Sequence, residues 1–215
     1  SQGIGATVKH FIANNQESNR DMVDVHANPR ALREIYLKGF EIALQESDPW
    51  ALMTSYNSVN GWFTQQNYEL VTNVLRDEWG FDGMVMTDWG LKDNTPYIVK
   101  SGNDLLQPGS KIEMERILAA VKEGLVSVEE IDRNVRRILE YVVKTPRFAG
   151  YDFKHDLRLD EHAGLVRESA DECMVLLKND GVLPLAPEQT VGLYGVGSYD
   201  MIAGGGGSGN VNKPY

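Results

Sequence analysis

The stretch Met84-Val85-Met86-Thr87-Asp88-Trp89-Gly90 runs from apolar residues straight into a carboxylate, a tryptophan and a glycine. Met84 to Thr87 reads as a short buried strand, so the acid stands where the strand ends. A carboxylate beside a large aromatic at such an end is a recurring arrangement in sugar sites. The carboxylate can attack an anomeric carbon, and the indole offers an apolar face to the sugar's C–H surface. On chemistry alone, Asp88 could equally bind a metal, accept a proton or cap the following helix.

Strand and helix signals alternate on both sides of this stretch. Ala6 to Ile12 is β-branched and aromatic and reads as a strand. Asn28 caps a helix with Pro29 at its first position, and Leu32, Ile35, Phe40, Ile42 and Ala43 keep helical spacing along it. Ala51 to Tyr56 is a second strand. Asn67 caps a second helix, with Leu70, Val71, Val74 and Leu75 on one face and Gly80 at its end. After Met84–Thr87, a polar loop and a short helix lead to a fourth strand at Asp104-Leu105-Leu106. Ser110 with Glu113 and Ser127 with Glu130 form capping boxes that open two amphipathic helices, with Gly124 between them.

This βαβαβαβα order favours parallel strands with crossover helices. Polar residues gather at the strand ends: Lys9-His10, Tyr56-Asn57, Asp88-Trp89 and Gln107. In a (β/α)8 barrel those ends hold the active site. Only four such strands occur before residue 145, and half a barrel leaves two sheet edges that aggregate or recruit a partner. Periodicity is lost from Thr145 to Leu159, which reads as a linker. A helix follows near Glu161 to Glu172, then a strand at Met174–Lys178, a turn at Asp180-Gly181 and another strand at Thr190–Val196. The run Gly204 to Gly209 reads as a loop. The predicted fold class is α/β: the C-terminal half of a (β/α)8 barrel over residues 1–144, a linker over 145–160, and the beginning of an α/β-sandwich domain over 161–215.

Of the 215 residues, 42% are hydrophobic and 24% charged, an ordinary globular composition. The net charge of −10 leaves no basic footprint for nucleic acid and would be repelled by anionic membranes. No apolar run approaches the roughly 18 residues of a membrane span. The single cysteine, Cys173, excludes an internal disulfide and sits in an apolar setting that predicts a core thiol. That cysteine count favours a cytoplasmic setting without requiring it, and the chain begins without Met, so localisation stays open. The four histidines lack metal-ligand spacing, and no G-x-S-x-G elbow occurs. Thr190 to Asp200 contains a strand followed by G-x-G, but Asp200 stands where a dinucleotide site needs its third glycine.

Three segments occur in order, each at a strand end: KHFIANNQESNR (9–20), MTSYNSVNG (53–61) and MVMTDWG (84–90). Together they resemble the catalytic barrel of family 3 glycoside hydrolases, in its β-glucosidase branch. MVLLKNDGVLPL (174–185) and GGGGSG (204–209) resemble that family's entry into its second domain. The resemblance implies a retaining, exo-acting β-glycosidase, a β-glucosidase foremost. It would hydrolyse terminal non-reducing β-D-glucosyl residues through a covalent glycosyl-enzyme intermediate, with no cofactor and no metal. Asp88 matches the nucleophile. Lys9 and His10 match a pair that hydrogen-bonds sugar hydroxyls, Tyr56 a tyrosine near the nucleophile, and Trp89 an aromatic wall. Asn15, Gln16, Glu17 and Arg20 match a polar cluster that shapes the loop without touching sugar. The expected partners are a β-glucoside or oligosaccharide and the remaining segments of a parent enzyme.

The retaining mechanism uses two carboxyl groups about 5–5.5 Å apart. In the resembled family the acid/base is a glutamate beyond the glycine-rich loop, and further sugar ligands precede the first residue here. The chain is therefore expected to be a fragment with little or no activity alone. A non-catalytic carbohydrate-binding remnant of the same fold is the alternative. A related branch uses a His/Asp pair on the loop after KHF; here Asp24 and His26 are close in sequence, and outward-facing loop residues are the expected reading.

Overall fold

A computed structural model describes residues 3–90, 94–152, 154, 156–200, 204–205 and 209–210. The chain divides into two compact units, Ser1–Phe153 and Lys154–Tyr215.

The first unit is built on β1 (Thr7–Phe11), β3 (Ala51–Thr54) and β6 (Met84–Thr87), a parallel sheet in the order β1-β3-β6. β3 and β6 pair in unbroken register from Ala51↔Met84 to Thr54↔Thr87. The β1–β3 register shifts between Val8 and Phe11. Parallel neighbours need helical crossovers, and these cover one face. Asn28 accepts from Ala31 N at 2.8 Å and opens α1 (Pro29–Ala31), which continues through a wide π-type turn, Leu32–Tyr36, into α2 (Lys38–Ser47). Asn67 accepts from Leu70 N at 3.1 Å just before the π-type helix Glu69–Glu78. These helices send Leu37, Val71 and Leu75 onto Phe11, Leu52 and Val85 of the sheet, forming the core. Alternation along the strands turns Met53 and Met86 to the opposite face, where both are only half-buried.

The expected strand at Asp104–Leu106 is reduced to one parallel bridge, Met86↔Leu105. The cause is a side chain. Asp104 Oδ2 accepts from Val85 N at 2.8 Å, a donor that a neighbouring strand's carbonyl would otherwise take. The same carboxylate pairs with Arg76 at 2.8 Å and Arg137 at 3.2 Å. Arg76 also donates to Phe81 O and Gly83 O, so this charged knot locks the start of β6. Burial lowers the Arg76 guanidinium to about 10 and raises the Asp104 carboxyl above its ordinary value.

A second sheet was not foreseen. β2 (Asp24–Val25) pairs parallel with β4 (Ser58–Val59), which turns back antiparallel onto β5 (Trp62–Phe63). The turn is Asn60-Gly61, with φ of 51° and 88°. Two positive φ values in a two-residue loop are the primed geometry that matches strand twist, and Asn-Gly is its preferred pair. The loop expected after Asp88 falls partly outside the described residues (91–93); the helix beyond it is α3 (Thr95–Ser101). α4 (Lys111–Lys122) and α5 (Val128–Val143) open on the two complete capping boxes, with Gly124 at φ 73° between them.

In the second unit, α6 (Leu159–Glu172) is the expected helix. Asn179 accepts from Gly181 N and Leu183 N, forming the expected turn. The strands expected at Met174–Lys178 and Thr190–Val196 are not formed. An extended apolar segment becomes a strand only when another strand bonds to it, and no described residue does so; Leu177 is 92% exposed. Val196–Ser198 is a 3-10 turn, so the G-x-G segment has neither the strand nor the helix of a dinucleotide site. Cys173, expected in a core, is exposed, because it follows the end of α6 in a segment without buried residues. The glycine-rich run lies partly outside the described residues (206–208); Gly205 N donates to Gly209 O at 2.7 Å. No helix among the described residues is long and apolar enough to cross a membrane.

Candidate functional site

The site is assembled where β1, β3 and β6 end. The loop after β1 is stitched to the loop after β3. Ser55 N donates to Phe11 O at 2.7 Å, and Ser55 Oγ donates to Ile12 O at 3.0 Å. The wholly buried Asn57 also donates to Ile12 O. Tyr56 sits between Ser55 and Asn57 and is thereby fixed beside the end of β1. The β6 ladder extends one residue further: Asp88 N donates to Thr54 O at 3.1 Å. The chain after it is braced by Gly90 N donating to Gln107 O and Gln107 N donating to Thr87 Oγ1.

Asp88 is therefore held by its backbone and is only 8% exposed. Its Oδ1 accepts from Trp89 N at 2.7 Å, and its Oδ2 lies 3.5 Å from His10 Nε2. The Tyr56 hydroxyl hydrogen-bonds the same carboxylate. Burial, followed by the charge of Asp88, pushes Tyr56 up to about 12, so the phenol keeps its proton and donates. Burial pulls the His10 imidazole below 6.5; Asp88 opposes this, while Lys9 and Arg20 reinforce it. The 3.5 Å approach is thus a contact between a carboxylate and a neutral imidazole, rather than an ion pair, and it is long for a hydrogen bond.

Lys9 is exposed at the middle of β1, one residue before His10, and makes no hydrogen bond or ion pair with another described residue. Trp89 is 63% exposed, which leaves much of its indole open to solvent. Arg20 stacks over the Tyr56 ring at 5.0 Å and pairs with Glu17 at 3.0 Å. Asn15, Gln16 and Glu17 are exposed on the loop, and Gln16 donates to Ser18 O. The fold therefore brings Asp88, His10, Tyr56 and Trp89 together, places Lys9 beside them and Arg20 behind the tyrosine, and leaves Asn15 and Glu17 at the rim. Arg20's contact with Tyr56 was not foreseen, since its only signal in sequence is an arginine eleven positions after Lys9.

Asp24 and His26 pair at 3.2 Å, with the His26 side chain 77% exposed. Asp24 accepts from Gly61 N, so it serves the hairpin turn. Among the described residues, no three His, Cys, Asp or Glu side chains gather as a metal site requires. A cleft of about 240 Å³ lined by Trp50, Met84 and Tyr141 lies at the opposite end of β6 from Asp88, the end that in parallel α/β architectures serves stability rather than chemistry.

The pattern of the glycosyl hydrolase family 3 N-terminal domain matches residues 1–141. Beta-glucosidase B of Emericella nidulans is 43% identical over 222 residues, covering 99% of this chain and 26% of that protein. An exo-alpha-(1->6)-L-arabinopyranosidase of Bifidobacterium longum is 42% identical over 186 residues, covering 86% of this chain and 24% of its own length. The solved structure of beta-glucosidase 3B from Thermotoga neapolitana in complex with glucose superposes with a TM-score of 0.91 at 45% identity, over 99% of this chain and 31% of that one. The chain spans about a quarter of the length of the relatives it matches.

Proposed function

This chain belongs to glycosyl hydrolase family 3, and we propose that Asp88 is the nucleophile of a retaining, exo-acting β-glucosidase. The observation that carries the proposal is the placing of Asp88: buried, fixed by its backbone, and approached by a proton-keeping tyrosine and a neutral histidine at the strand ends. A nucleophilic carboxylate must be ionised and aimed. The Tyr56 hydroxyl stabilises the ionised form, and the Trp89 N–H orients Oδ1. Lys9, with three donors, and His10, with one or two, suit sugar hydroxyls as acceptors. The exposed Trp89 ring suits the sugar's apolar face.

Catalysis then runs in two displacements. An Asp88 carboxylate oxygen attacks the anomeric carbon while a second carboxyl group protonates the departing oxygen. Water, deprotonated by that second group, later releases glucose from Asp88. The second carboxyl belongs to the remainder of a parent enzyme, whose relatives are about four times longer than this chain. In this proposal residues 1–144 are the later half of a (β/α)8 barrel, 145–160 a linker and 161–215 the beginning of an α/β sandwich. Two observations support the need for further segments: the half-open Met53/Met86 face of the sheet, and the exposed apolar stripe Val135, Leu139 and Val143 on α5.

The experiment is Asp88→Asn in the full-length protein, assayed on an aryl β-glucoside. Asparagine keeps an Oδ1 acceptor for Trp89 N, so the fold holds. The rate constant kcat should fall by about 10³-fold or more. Near-normal turnover would assign the attack elsewhere, and sugar binding without turnover in the unsubstituted protein would make the site a lectin-like remnant.

A further inference from the structure

We propose that the groove between the hairpin β4–β5 and the start of α3 is a second carbohydrate site, which holds a distal part of a β-linked glucan chain. The proposal rests on the glucosidase reading for its substrate class only; the groove shares no residue with the Asp88 site. Trp62 lies on β5 and Tyr97 on the first turn of α3, with ring centroids 6.3 Å apart and planes tilted by 48°. Both remain about half exposed, at 53% and 48%, and Tyr68 beside them is 50% exposed. These three rings line a groove of about 430 Å³ together with Gln66, Asn67 and Glu69, a volume within the usual range of ligand pockets.

The chemistry selects the occupant. Two half-exposed rings with planes tilted by 48° offer apolar surface to the axial C–H bonds of successive glucose units, as amphipathic aromatics do at wet binding sites. Gln66 makes no side-chain hydrogen bond with another described residue. Asn67 uses its oxygen on Leu70 N, and Glu69 uses Oε2 on Asn73. Among the described residues, an amide, the Asn67 NH₂ and Glu69 Oε1 are thus left for hydroxyl groups. No lysine or arginine lines the groove, which disfavours a phosphate or an acidic chain and fits a neutral polyol. Both walls of the groove follow the proposed chemistry closely in the chain: the hairpin comes after Tyr56, and Tyr97 follows Asp88 by nine positions.

The test titrates the full-length Asp88→Asn protein calorimetrically with cellobiose and cellohexaose, and with laminaribiose and laminarihexaose. The expected result is that one hexaose binds about tenfold more tightly than its disaccharide. Trp62→Ala and Tyr97→Ala should each return that hexaose to disaccharide affinity, while disaccharide affinity, which reports an intact fold, stays unchanged. The absence of a chain-length gain for both linkages, or a gain that survives both substitutions, overturns the proposal. Glucose released by Asp88→Asn would instead sink the nucleophile assignment. The ratio of hexaose to disaccharide kcat/KM, with and without Trp62→Ala, would then read the same gain.

Discussion

His10 Nε2 lies 3.5 Å from Asp88 Oδ2, although their strands, β1 and β6, are not neighbours and β3 runs between them. Adjacent strands are about 4.8 Å apart, so the two side chains meet by leaning across the end of β3, where Tyr56 leaves the sheet. The contact makes His10 a reporter of the site. Its pKa is lowered below 6.5, chiefly by burial. Between that folded value and 6.5 the unfolded chain binds more protons, so stability rises with pH in this window and is lost as pH falls below 6.5. Melting temperatures taken from about pH 8 to about pH 5 should therefore fall more steeply for the native protein than for His10→Asn. Superimposable curves would show that His10 is not desolvated at the site.

Tyr56 carries a separate expectation. Tyr56→Phe keeps the ring under Arg20, where the guanidinium stacks at 5.0 Å, and deletes only the hydroxyl that donates to Asp88. A hydrogen bond to a charged group contributes about 1.5–3 kcal/mol, so kcat/KM on an aryl β-glucoside should fall by about ten- to a hundredfold. An unchanged kcat/KM would mean that the hydroxyl does not serve the carboxylate during turnover.

The knot at the other end of β6 predicts stability rather than activity. Arg76 and Asp104 have side chains 5% and 0% exposed. Asp104→Ala leaves the Arg76 guanidinium buried without its nearest counter-charge and should cost about 3–5 kcal/mol in urea unfolding. Arg30→Ala, which breaks an exposed pair with Glu34, should cost no more than about 1 kcal/mol. Equal, small effects would show that the buried pair relaxes or hydrates when broken.

Sequence signals were legible where the physics is local. Met84–Thr87 is the observed β6 to the residue, and the caps at Asn28, Ser110 and Ser127 all formed, because a cap depends on groups three positions away. The Asn60-Gly61 hairpin carried an equally local signal, but its strands are two residues each and show no periodicity. Met174–Lys178 has strand composition, yet pairing depends on a neighbour that composition does not reveal. Cys173 was misplaced for the same reason: an apolar context does not say what covers it. The meeting of His10, Tyr56 and Asp88 spans 78 positions, and no spacing rule reaches that far. Only the ordered likeness of three segments to a known barrel indicated it.

In the proposed mechanism Asp88 forms the covalent bond to the sugar. The most direct measurement is to inactivate the full-length protein with a 2-deoxy-2-fluoro-β-D-glucosyl fluoride and locate the added mass by peptide mass spectrometry. One fluoroglucosyl group per active site is expected, on Asp88 in the peptide that contains Met84 to Gly90. A label on any other carboxylate, or turnover of the reagent without a labelled intermediate, would contradict it.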